Sequence, residues 1–308
     1  MSNRTPEPLT VVRALRRIRD RLRDAGIAEP DLEAELLLRS AFRHEGPGLV
    51  SRAWLYQRPG ETVDESTERQ VDSLLTRRLA GEPSAYITGV REFRSLDFEV
   101  TPDVLIPRPE TELLVDKTIE LAKAGFSPVP SRESERPGLR APRIVDVGTG
   151  SGAIAVSLAR ELPSASIIAT DLSWGALAVA QKNARRHGVE HRISFRHGDL
   201  LLPVHAYVDF IVANLPYVTS EDWRGLAPEV REHEPALALR GGEDGLDLIR
   251  SLLAQAPRYL RPGGAVCLEF GIGQAEALRQ CAQSYLPGTE VEVFDDFAGI
   301  PRVLLARV

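Results

Sequence analysis

The chain contains 308 residues, of which 43% are hydrophobic and 27% are charged, and its formal net charge is −6. This length accommodates two domains of about 100–200 residues, and the composition is typical of a soluble globular protein. No apolar stretch approaches the roughly 20 residues of a membrane span, and the N-terminal MSNRTPEPLT lacks the apolar segment of a secretory signal. We therefore expect a cytoplasmic protein. The net acidity argues against a broad basic face for nucleic acid.

The two cysteines, Cys267 and Cys281, are too few for a disulfide framework. Cys267 lies inside an apolar run, where we expect it to be a small buried hydrophobic residue. Because no His or Cys lies at metal-ligand spacing from either cysteine, no metal site is predicted.

Residues 10–80 predict a small helical bundle. An apolar stripe at helical spacing opens it: Val11, Leu15, Ile18 and Leu22. Thr10 is placed to cap this helix and Gly26 to end it, while Pro30 begins a second helix. A later helix is indicated by ERQVDSLLTRRLAG. We expect residues 1–83 to form a helical domain without catalytic groups of its own.

The spacing of apolar residues changes at YITGVREFRSLDFEV, residues 86–100. This segment predicts a β-hairpin around a charged turn. We expect residues 84–104 to link two domains. Prolines 107 and 109 then fix an extended entry into a helix opened by Glu110, Thr111 and Glu112. The Pro-, Ser- and charge-rich stretch 127–142 predicts an exposed loop.

From residue 143 onward strands alternate with helical patterns, which predicts a doubly wound α/β domain over 105–308. The predicted strands are RIVDV, SIIAT, RISFRH, VDFIVA, AVCLEF, VEVFD and RVLLARV. Only a few residues, including Gly299 and Pro301, separate the last two. We therefore predict a seven-stranded Rossmann-like sheet whose last strand is antiparallel.

A glycine-rich turn follows the first of these strands: Gly148, Thr149, Gly150, Ser151 and Gly152. Glycines at such a turn allow close approach of a ligand, and the helix that follows directs unpaired N–H groups toward it. The turn indicates a nucleotide-like cofactor. Its spacing also satisfies the looser dinucleotide-binding pattern G-x-G-x-x-G/A. At this point the glycines alone therefore do not distinguish a nicotinamide cofactor from another nucleotide-like cofactor.

Two further strands end in carboxylates. Asp171 ends the second, where it would accept hydrogen bonds from ribose hydroxyls. Asp199 follows the third, where it could accept from an adenine amine with Leu200 against the ring. Helix capping is the structural alternative for each carboxylate.

The fourth strand ends in Asn214, Leu215, Pro216 and Tyr217, an unusual exit for a buried strand. Because ligands of open α/β sheets lie across the carboxyl ends of the strands, these residues should face whatever the cofactor acts upon. DVGTGSGAIA, ATDLS, GDL and NLPY together resemble the class I S-adenosylmethionine-dependent methyltransferases that modify amide or exocyclic amino nitrogens.

The resemblance extends over essentially the whole chain. The stretches RRLAGEPSAYITGVREFRSLDFEVTPDVLIPRPETELLVD, LRGGEDGLDLIR and LRPGGAVCLEFGIGQ resemble the release-factor glutamine methyltransferase family, often called HemK or PrmC. IPRPETE is the most specific piece, since the related ribosomal-protein glutamine methyltransferases usually have Ser where Pro109 stands.

The resemblance implies S-adenosylmethionine as cofactor and methyl transfer to the side-chain amide nitrogen of the glutamine in the Gly-Gly-Gln motif of class 1 peptide release factors. It assigns the grip on that amide to the Asn214 side chain and the Leu215 carbonyl, with Pro216 stiffening the loop and Tyr217 offering a ring face. Leu215 departs from the family's commoner proline.

The family layout would also place Phe93, Arg108 and Glu110 at the substrate entrance, with hairpin core and a helix-start ion pair as the structural alternatives. No histidine is nominated as catalytic, and His187, His191 and His197 are expected at the surface. The partners expected are release factors, with neither membrane nor nucleic acid, and the chain is expected to be a monomer.

Three other functions remain open from the residues. A methyltransferase of the same fold could modify a ribosomal-protein glutamine or a nucleic-acid amino group. A nicotinamide-dependent oxidoreductase would share the glycine turn and Asp171 but leave NLPY without a purpose. A binding module without activity would make Asn214 dispensable.

Overall fold

The computed structural model describes residues 8–42, 49–124 and 141–308. The chain divides into two compact units, Met1–Val90 with Pro228–His233, and Arg91–Ala227 with Glu234–Val308. The division predicted from the sequence, with boundaries after residues 83 and 104, remains a prediction. The predicted loop 127–142 lies outside the described residues as far as residue 140. Within the described ranges, no helix is both long and apolar enough to cross a membrane.

The helices and strands follow one another along the chain with these bounds. The helices are α1 Val11–Asp24, α2 Pro30–Ala41, α3 Arg52–Tyr56, α4 Glu65–Leu79, α5 Ser84–Thr88, α6 Thr111–Lys123, α7 Ala153–Glu161, α8 Trp174–Arg186, α9 Asp222–Gly225, α10 Pro228–His233, α11 Asp247–Gln255 and α12 Ala275–Tyr285. The strands are β1 Val90–Phe93, β2 Leu96–Glu99, β3 Arg143–Val147, β4 Ser166–Asp171, β5 Ile193–His197, β6 Val208–Ala213, β7 Leu260–Glu269, β8 Glu290–Asp295 and β9 Pro301–Arg307. Short 3₁₀ turns lie at Glu190–Arg192, Ala236–Ala238 and Ala256–Arg258.

The predicted helical bundle is present in the first unit, where the apolar faces of α1, α2 and α4 share one core. In α1 the buried position between Val11 and Ile18 belongs to Ala14, whereas Leu15 is only partly buried. Thr10 occupies the N-cap position, but its side chain makes no capping hydrogen bond. Gly26 has a φ of +73°, the left-handed conformation that ends a helix.

The predicted hairpin is shorter than residues 86–100. Residues 86–88 belong to the five-residue helix α5, which follows Pro83 and ends at Gly89 with φ +76°. Strands β1 and β2 pair across Arg94 and Ser95, whose φ values are +51° and +58°. Positive φ at both central residues is the type I′ turn that matches the twist of a two-stranded ribbon.

In the described part of the chain, seven strands form the main sheet in the order β5-β4-β3-β6-β7-β9-β8. Strand β9 runs antiparallel to both of its neighbours, β7 and β8, and the other pairings are parallel. The predicted antiparallel last strand is thus confirmed. Strand β7 begins at Leu260, before the predicted AVCLEF. Leu260 already pairs with Val208 of β6, and the register then shifts before Ala265 pairs with Phe210.

Alternate residues of the central strands enter two different cores, as a doubly wound sheet requires. Ile144 and Phe210 pack with residues of α6 and α7 on one face, while Val145 and Ile211 pack with residues of α11 and α12 on the other. The strand order reverses between β3 and β6, so the carboxyl ends of these two strands open the crevice where ligands bind in such folds.

Candidate active site at the carboxyl ends of the strands

The glycine turn after β3 is held open by its backbone. Gly148 and Gly150 have φ values of +73° and +54°, which favour glycine. The N–H groups of Gly148 and Thr149 both donate to the Thr170 carbonyl at 2.9 Å. Gly152, with φ +82°, precedes α7, and a Cβ there would lie 3.1 Å from Ala180 of α8. Glycine at this position therefore allows the two helices to pack closely.

A buried carboxylate, Asp146, supports the turn from below. Its Oδ2 accepts the Thr149 hydroxyl at 2.6 Å and the Ala155 N–H at 3.1 Å. Burial raises the pKa of Asp146 to about 7, and the two hydrogen bonds oppose that rise. The turn and the start of α7 are thus fixed by one side chain.

Asp171, at the end of β4, faces the same turn. Its Oδ2 accepts the Gly150 N–H at 2.9 Å and its Oδ1 accepts the Ser173 N–H at 2.8 Å. Burial raises the pKa of Asp171, and the backbone hydrogen bonds to Ser173 and Gly150 oppose that rise. Each oxygen retains a further lone pair for a ligand hydroxyl.

The end of β5 supplies Asp199 and Leu200. Asp199 is exposed, and Leu200 is buried with a φ of +48°, which is uncommon for a non-glycine residue. The Thr170 hydroxyl donates to the Leu200 carbonyl at 2.9 Å and holds this conformation. Backbone strain of this kind concentrates at functional sites.

These strand ends border one cleft of about 310 Å³. The predicted site residues that line it are Gly148, Thr149, Gly150, Ser151, Asp171, Asp199, Leu200, Asn214, Leu215, Pro216 and Arg108. The predicted residues that are absent from its lining are Gly152, Tyr217, Phe93 and Glu110. The cleft also takes in Thr111, at the start of α6.

Asn214 is anchored by its amide nitrogen. The Asn214 Nδ2 donates to the Thr111 hydroxyl oxygen at 3.0 Å. The opposite amide atom, Oδ1, is therefore the one left to accept from a ligand in the cleft. Thr111 itself is buried, so the anchor is shielded from solvent.

Leu215 packs against the glycine turn. Its side chain is buried, and a Cβ placed on Gly148 would lie 3.1 Å from the Leu215 Cδ2. Leu215 stands where the family more often has proline. Its side chain fills the space between the glycine turn and the end of β6. The two parts of the site are in van der Waals contact through it.

Tyr217 is held by the segment 241–245, by the last residue of β7 and by Gln274. Its hydroxyl donates to Glu269 Oε1 at 3.3 Å, and its carbonyl accepts from Gln274 Nε2 at 2.9 Å. Burial raises the pKa of Tyr217 and the nearby Glu269 raises it further, so this phenol stays protonated. A Cβ on Gly245 would lie 2.1 Å from the Tyr217 carbonyl oxygen. Only glycine permits that approach.

The three residues predicted at the substrate entrance occupy different environments. Phe93 is 1% exposed and packs edge-on against Phe98, with ring centroids 6.0 Å apart. It therefore belongs to the hairpin core and does not line the cleft. Arg108 lines the cleft and forms an ion pair with Glu234 at 2.5 Å. Glu110 is half-buried at the N-cap of α6.

Several supporting residues were not identified from the sequence: Thr111 as an anchor, Glu269, Gln274 and Asn183. The Asn183 side chain in α8 donates to the carbonyls of Ser151 and Glu99 at 2.9 Å and accepts from the Glu99 N–H at 2.7 Å. Only Thr111 carried a signal, its place in IPRPETE. The others lie in ordinary helix and strand patterns.

The chain matches two protein families and a set of named relatives. The PrmC N-terminal domain family matches residues 13–89, and the methyltransferase small domain family matches residues 134–228. A release factor glutamine methyltransferase of Moorella thermoacetica is 41% identical over 299 residues, covering 97% of this chain and 98% of the relative. One of Bordetella pertussis is 41% identical over 287 residues, covering 93% and 97%.

The chain belongs to the release factor glutamine methyltransferase family. Among solved structures, it is 32% identical to the release factor-specific protein-(glutamine-N5) methyltransferase of Alicyclobacillus acidocaldarius, covering 68% of this chain and 98% of that one with a TM-score of 0.40. The hMettl16 catalytic domain, in complex with the MAT2A 3′UTR hairpin 6, is 16% identical with a TM-score of 0.51, and covers 72% and 79%. That second likeness concerns the fold alone.

Proposed function

We propose that the chain transfers a methyl group from S-adenosylmethionine to the side-chain amide nitrogen, N5, of the glutamine in the Gly-Gly-Gln motif of class 1 peptide release factors. The observation that carries this proposal is the orientation of Asn214, whose Nδ2 is bound by Thr111 so that Oδ1 remains as an acceptor at the cleft. Family membership supports the substrate. It also favours a release factor over the ribosomal-protein, nucleic-acid and oxidoreductase alternatives.

The residues around the glycine turn fit this cofactor. Gly148 and Gly150 leave a cradle without side chains, and nothing lies within 4 Å of the position that a Cβ on Gly150 would occupy. Asp171, held by the Gly150 N–H, would bind the ribose hydroxyls with its remaining lone pairs. S-Adenosylmethionine supplies a methyl group that is made electrophilic by a positively charged sulfur.

The adenine end of the cofactor would lie at the end of β5. Asp199, exposed at the cleft, would accept from the exocyclic amine, and Leu200 would pack on the ring. Thr149 and Ser151 complete the loop that would enclose the cofactor, and Gly152 allows the closely packed helix that follows. Enclosure by this loop would keep water from the reacting atoms.

The substrate amide needs an orienting site because its nitrogen lone pair is delocalised into the carbonyl. Asn214 Oδ1 and the Leu215 carbonyl, which together we call the amide clamp, would accept the two N–H groups of the glutamine side chain. Pro216 limits the movement of the second acceptor. Tyr217 does not line the cleft, and its ring stays a predicted support for the flat amide. As the nitrogen gains the methyl group it becomes positively charged, and both acceptors stabilise that charge.

No general base is required before the transfer, because a cationic N-methylated amide is a strong acid that loses its proton readily. This agrees with the lining of the cleft, which includes no histidine among the described residues. The chain's own contribution is therefore orientation and charge stabilisation.

We further propose that residues 1–83 form the domain that binds the body of the release factor, with 84–104 as the linker and 105–308 as the catalytic domain. Contacts away from the reacting glutamine would then contribute binding energy to its orientation. The enzyme would act as a cytoplasmic monomer without nucleic acid.

The test is incubation of the purified chain and a purified release factor with labelled S-adenosylmethionine, followed by mass spectrometry of the Gly-Gly-Gln peptide. We expect one labelled methyl group on the glutamine side chain. A label on another residue, or none, would refute the assignment.

Substitution Asn214→Ala tests the clamp in the same assay. Removal of one acceptor should lower kcat by about 10²–10³, the range measured for loss of one group that stabilises transition-state charge. Affinity for S-adenosylmethionine, measured by calorimetry, should change by no more than about threefold, which is under 1 kcal/mol. An Asn214→Ala protein whose kcat equals that of an active wild-type chain would contradict the clamp.

A further inference from the structure

Three large apolar side chains are exposed at the edge of the sheet where the cleft opens, and we call them the apolar rim. Leu237 is 60% exposed, Ile272 is 68% exposed, and Phe297 is fully exposed, at 105%. Leu237 also lines the cleft, so the rim begins at the cleft itself. Exposed apolar side chains that are grouped in one region mark surfaces for a partner.

Ile272 lies beside Tyr217, the last residue of the strand exit NLPY. A Cβ on Gly271, the residue directly before Ile272, would lie 3.1 Å from the Tyr217 ring atom Cδ2. The Tyr217 hydroxyl also donates to Oε1 of Glu269, the last residue of β7. The chain that leaves β7 toward Ile272 is therefore packed against the strand exit that carries the amide clamp.

The turn between β8 and β9, residues 296–300, brings Phe297 to the same edge of the sheet. Strand β9 runs antiparallel to β7, and Val303, near the start of β9, pairs with Glu269 at the end of β7. The turn that precedes β9 therefore extends beyond the carboxyl ends of the parallel strands, on the side where the cleft opens.

Asp296 fixes the turn that presents Phe297. Its Oδ1 accepts the N–H groups of Ala298 at 2.9 Å and Ile300 at 3.0 Å, and its Oδ2 accepts from Arg302 Nε at 3.2 Å. A fully exposed side chain adds no buried apolar area to the folded chain, so the Phe297 ring does not stabilise this turn. A ring held on a fixed turn loses little conformational freedom when a partner covers it.

We propose that the apolar rim is a docking surface for an apolar part of the release factor next to its Gly-Gly-Gln motif, with Phe297 as the main anchor. A protein that inserts a glutamine into the cleft covers the side chains at the mouth of the cleft, and Leu237 is one of them. Neither glycine of the motif has a side chain to fill the rim, so the apolar groups come from neighbouring parts of the release factor. The proposal rests on the proposed function, which supplies the protein substrate.

Substitution Phe297→Ala tests the anchor. We expect KM for the intact release factor to rise about ten- to a hundredfold, the loss that corresponds to one phenylalanine side chain no longer buried. The value of kcat should stay within about twofold of wild type, because the docking contact is the same before and during methyl transfer. The dissociation constant for S-adenosylmethionine and the urea midpoint of unfolding should not change.

Ile272→Ala and Tyr207→Ala separate the rim from surface hydrophobicity in general. Ile272→Ala should raise KM by about three- to tenfold, and its effect should multiply with that of Phe297→Ala. Tyr207 is the matched control, since it is 61% exposed and directly precedes β6, at the opposite edge of the sheet. Tyr207→Ala should leave KM unchanged. A KM in Phe297→Ala within about twofold of wild type, or an equal rise in Tyr207→Ala, would overturn the proposal.

A second measurement does not depend on turnover. In calorimetric titrations with S-adenosylhomocysteine present, the dissociation constant for the release factor should rise in Phe297→Ala by the same factor as KM, and an unchanged constant would overturn the docking surface. Sedimentation of the chain alone tests a second copy as the occupant: a dimer that Phe297→Ala dissociates would also overturn the proposal. A wild-type chain that leaves the release factor unmethylated would refute the proposed function, whereas an active wild type with unaffected variants would refute the docking surface alone.

Discussion

Gly148 illustrates how single residues set the cofactor site. Its φ is +73°, and a Cβ would meet the Leu215 Cδ2 at 3.1 Å, so alanine there is strained and also crowds the Leu215 side chain. We expect Gly148→Ala to lower the free energy of unfolding by about 1–2 kcal/mol and to weaken binding of S-adenosylmethionine, measured by calorimetry.

Gly188 is the matched control, because its φ is +68° and nothing lies within 4 Å of its Cβ position. Gly188→Ala should carry a similar conformational cost and leave the affinity for the cofactor unchanged. Equal effects of the two substitutions on affinity would mean that contact with Leu215 is unimportant.

Asp146 makes stability depend on pH. Its pKa rises from 3.8 in the unfolded chain to about 7 in the folded protein because it is fully buried. The folded state therefore binds the proton more tightly, and stability is lost as the pH rises from 3.8 to about 7. We expect Asp146→Asn to remove this component, which is at most about 4 kcal/mol.

The measurement is the free energy of unfolding by urea between about pH 4.5 and about pH 7.5, roughly the interval between the two pKa values. Glu269 and Asp171 are present in both proteins, so their contributions cancel when the pH dependence of Asp146→Asn is subtracted from that of the wild type. The direct repulsion between Asp146 and Asp171 is the part that does not cancel. Parallel curves for wild type and Asp146→Asn would contradict the assigned pKa.

At the scale of elements, Asn183 joins three parts of the catalytic unit. Its side chain lies in α8 and makes three hydrogen bonds to the backbone of β2 and of the glycine turn. Asn183→Ala leaves these backbone groups unsatisfied, and we expect a loss of about 2–4 kcal/mol in stability together with weaker cofactor binding.

Lys182 offers the control on the same helix. Its ion pair with Glu99 is solvent-exposed, with side chains 57% and 36% exposed, so Lys182→Ala should cost under about 1 kcal/mol. If the two variants unfold at the same urea concentration, the bridge made by Asn183 contributes nothing to stability.

The sequence predicts best the elements that have a clear period or a clear end. Strands β3, β4 and β6 are apolar runs followed by glycine, acid or NLPY, and these patterns place them close to their observed bounds. Helix α5 escapes prediction because five residues show no helical period and carry aromatic and β-branched side chains typical of strands. The sequence left Phe93 open between the substrate entrance and the hairpin core for a related reason, since alternation in a short hairpin does not tell which face is buried.

At the scale of the whole molecule, the fold class and the cofactor end of the site could be predicted, because local motifs at strand ends determine both. The supporting contacts could not be predicted, because they join residues far apart in sequence. Tyr217 and Glu269, for example, are hydrogen-bonded and lie 52 positions apart. The grouping of residues 228–233 with the helical unit also depends on residues far apart in sequence. No local pattern indicates it.

Arg78 explains how this short segment is held in the helical unit. Arg78 is 6% exposed and pairs with Glu33 of α2 at 3.0 Å and with Glu229 of α10 at 2.9 Å. A largely buried cation removed from between two carboxylates leaves both uncompensated. We expect Arg78→Met, which keeps the apolar stem, to cost about 2–4 kcal/mol and to increase hydrogen exchange at 228–233.

Arg77 is the neighbouring control, since its ion pair with Glu82 has side chains 43% and 22% exposed and should contribute under about 1 kcal/mol. Arg77→Met should leave exchange at 228–233 unchanged.

This segment follows the amide clamp closely along the chain, with only α9 and its flanking turns between them. If it is fixed by Arg78, release of that ion pair should also lower kcat/KM for the intact release factor. Unchanged exchange in Arg78→Met would show that other contacts hold the segment.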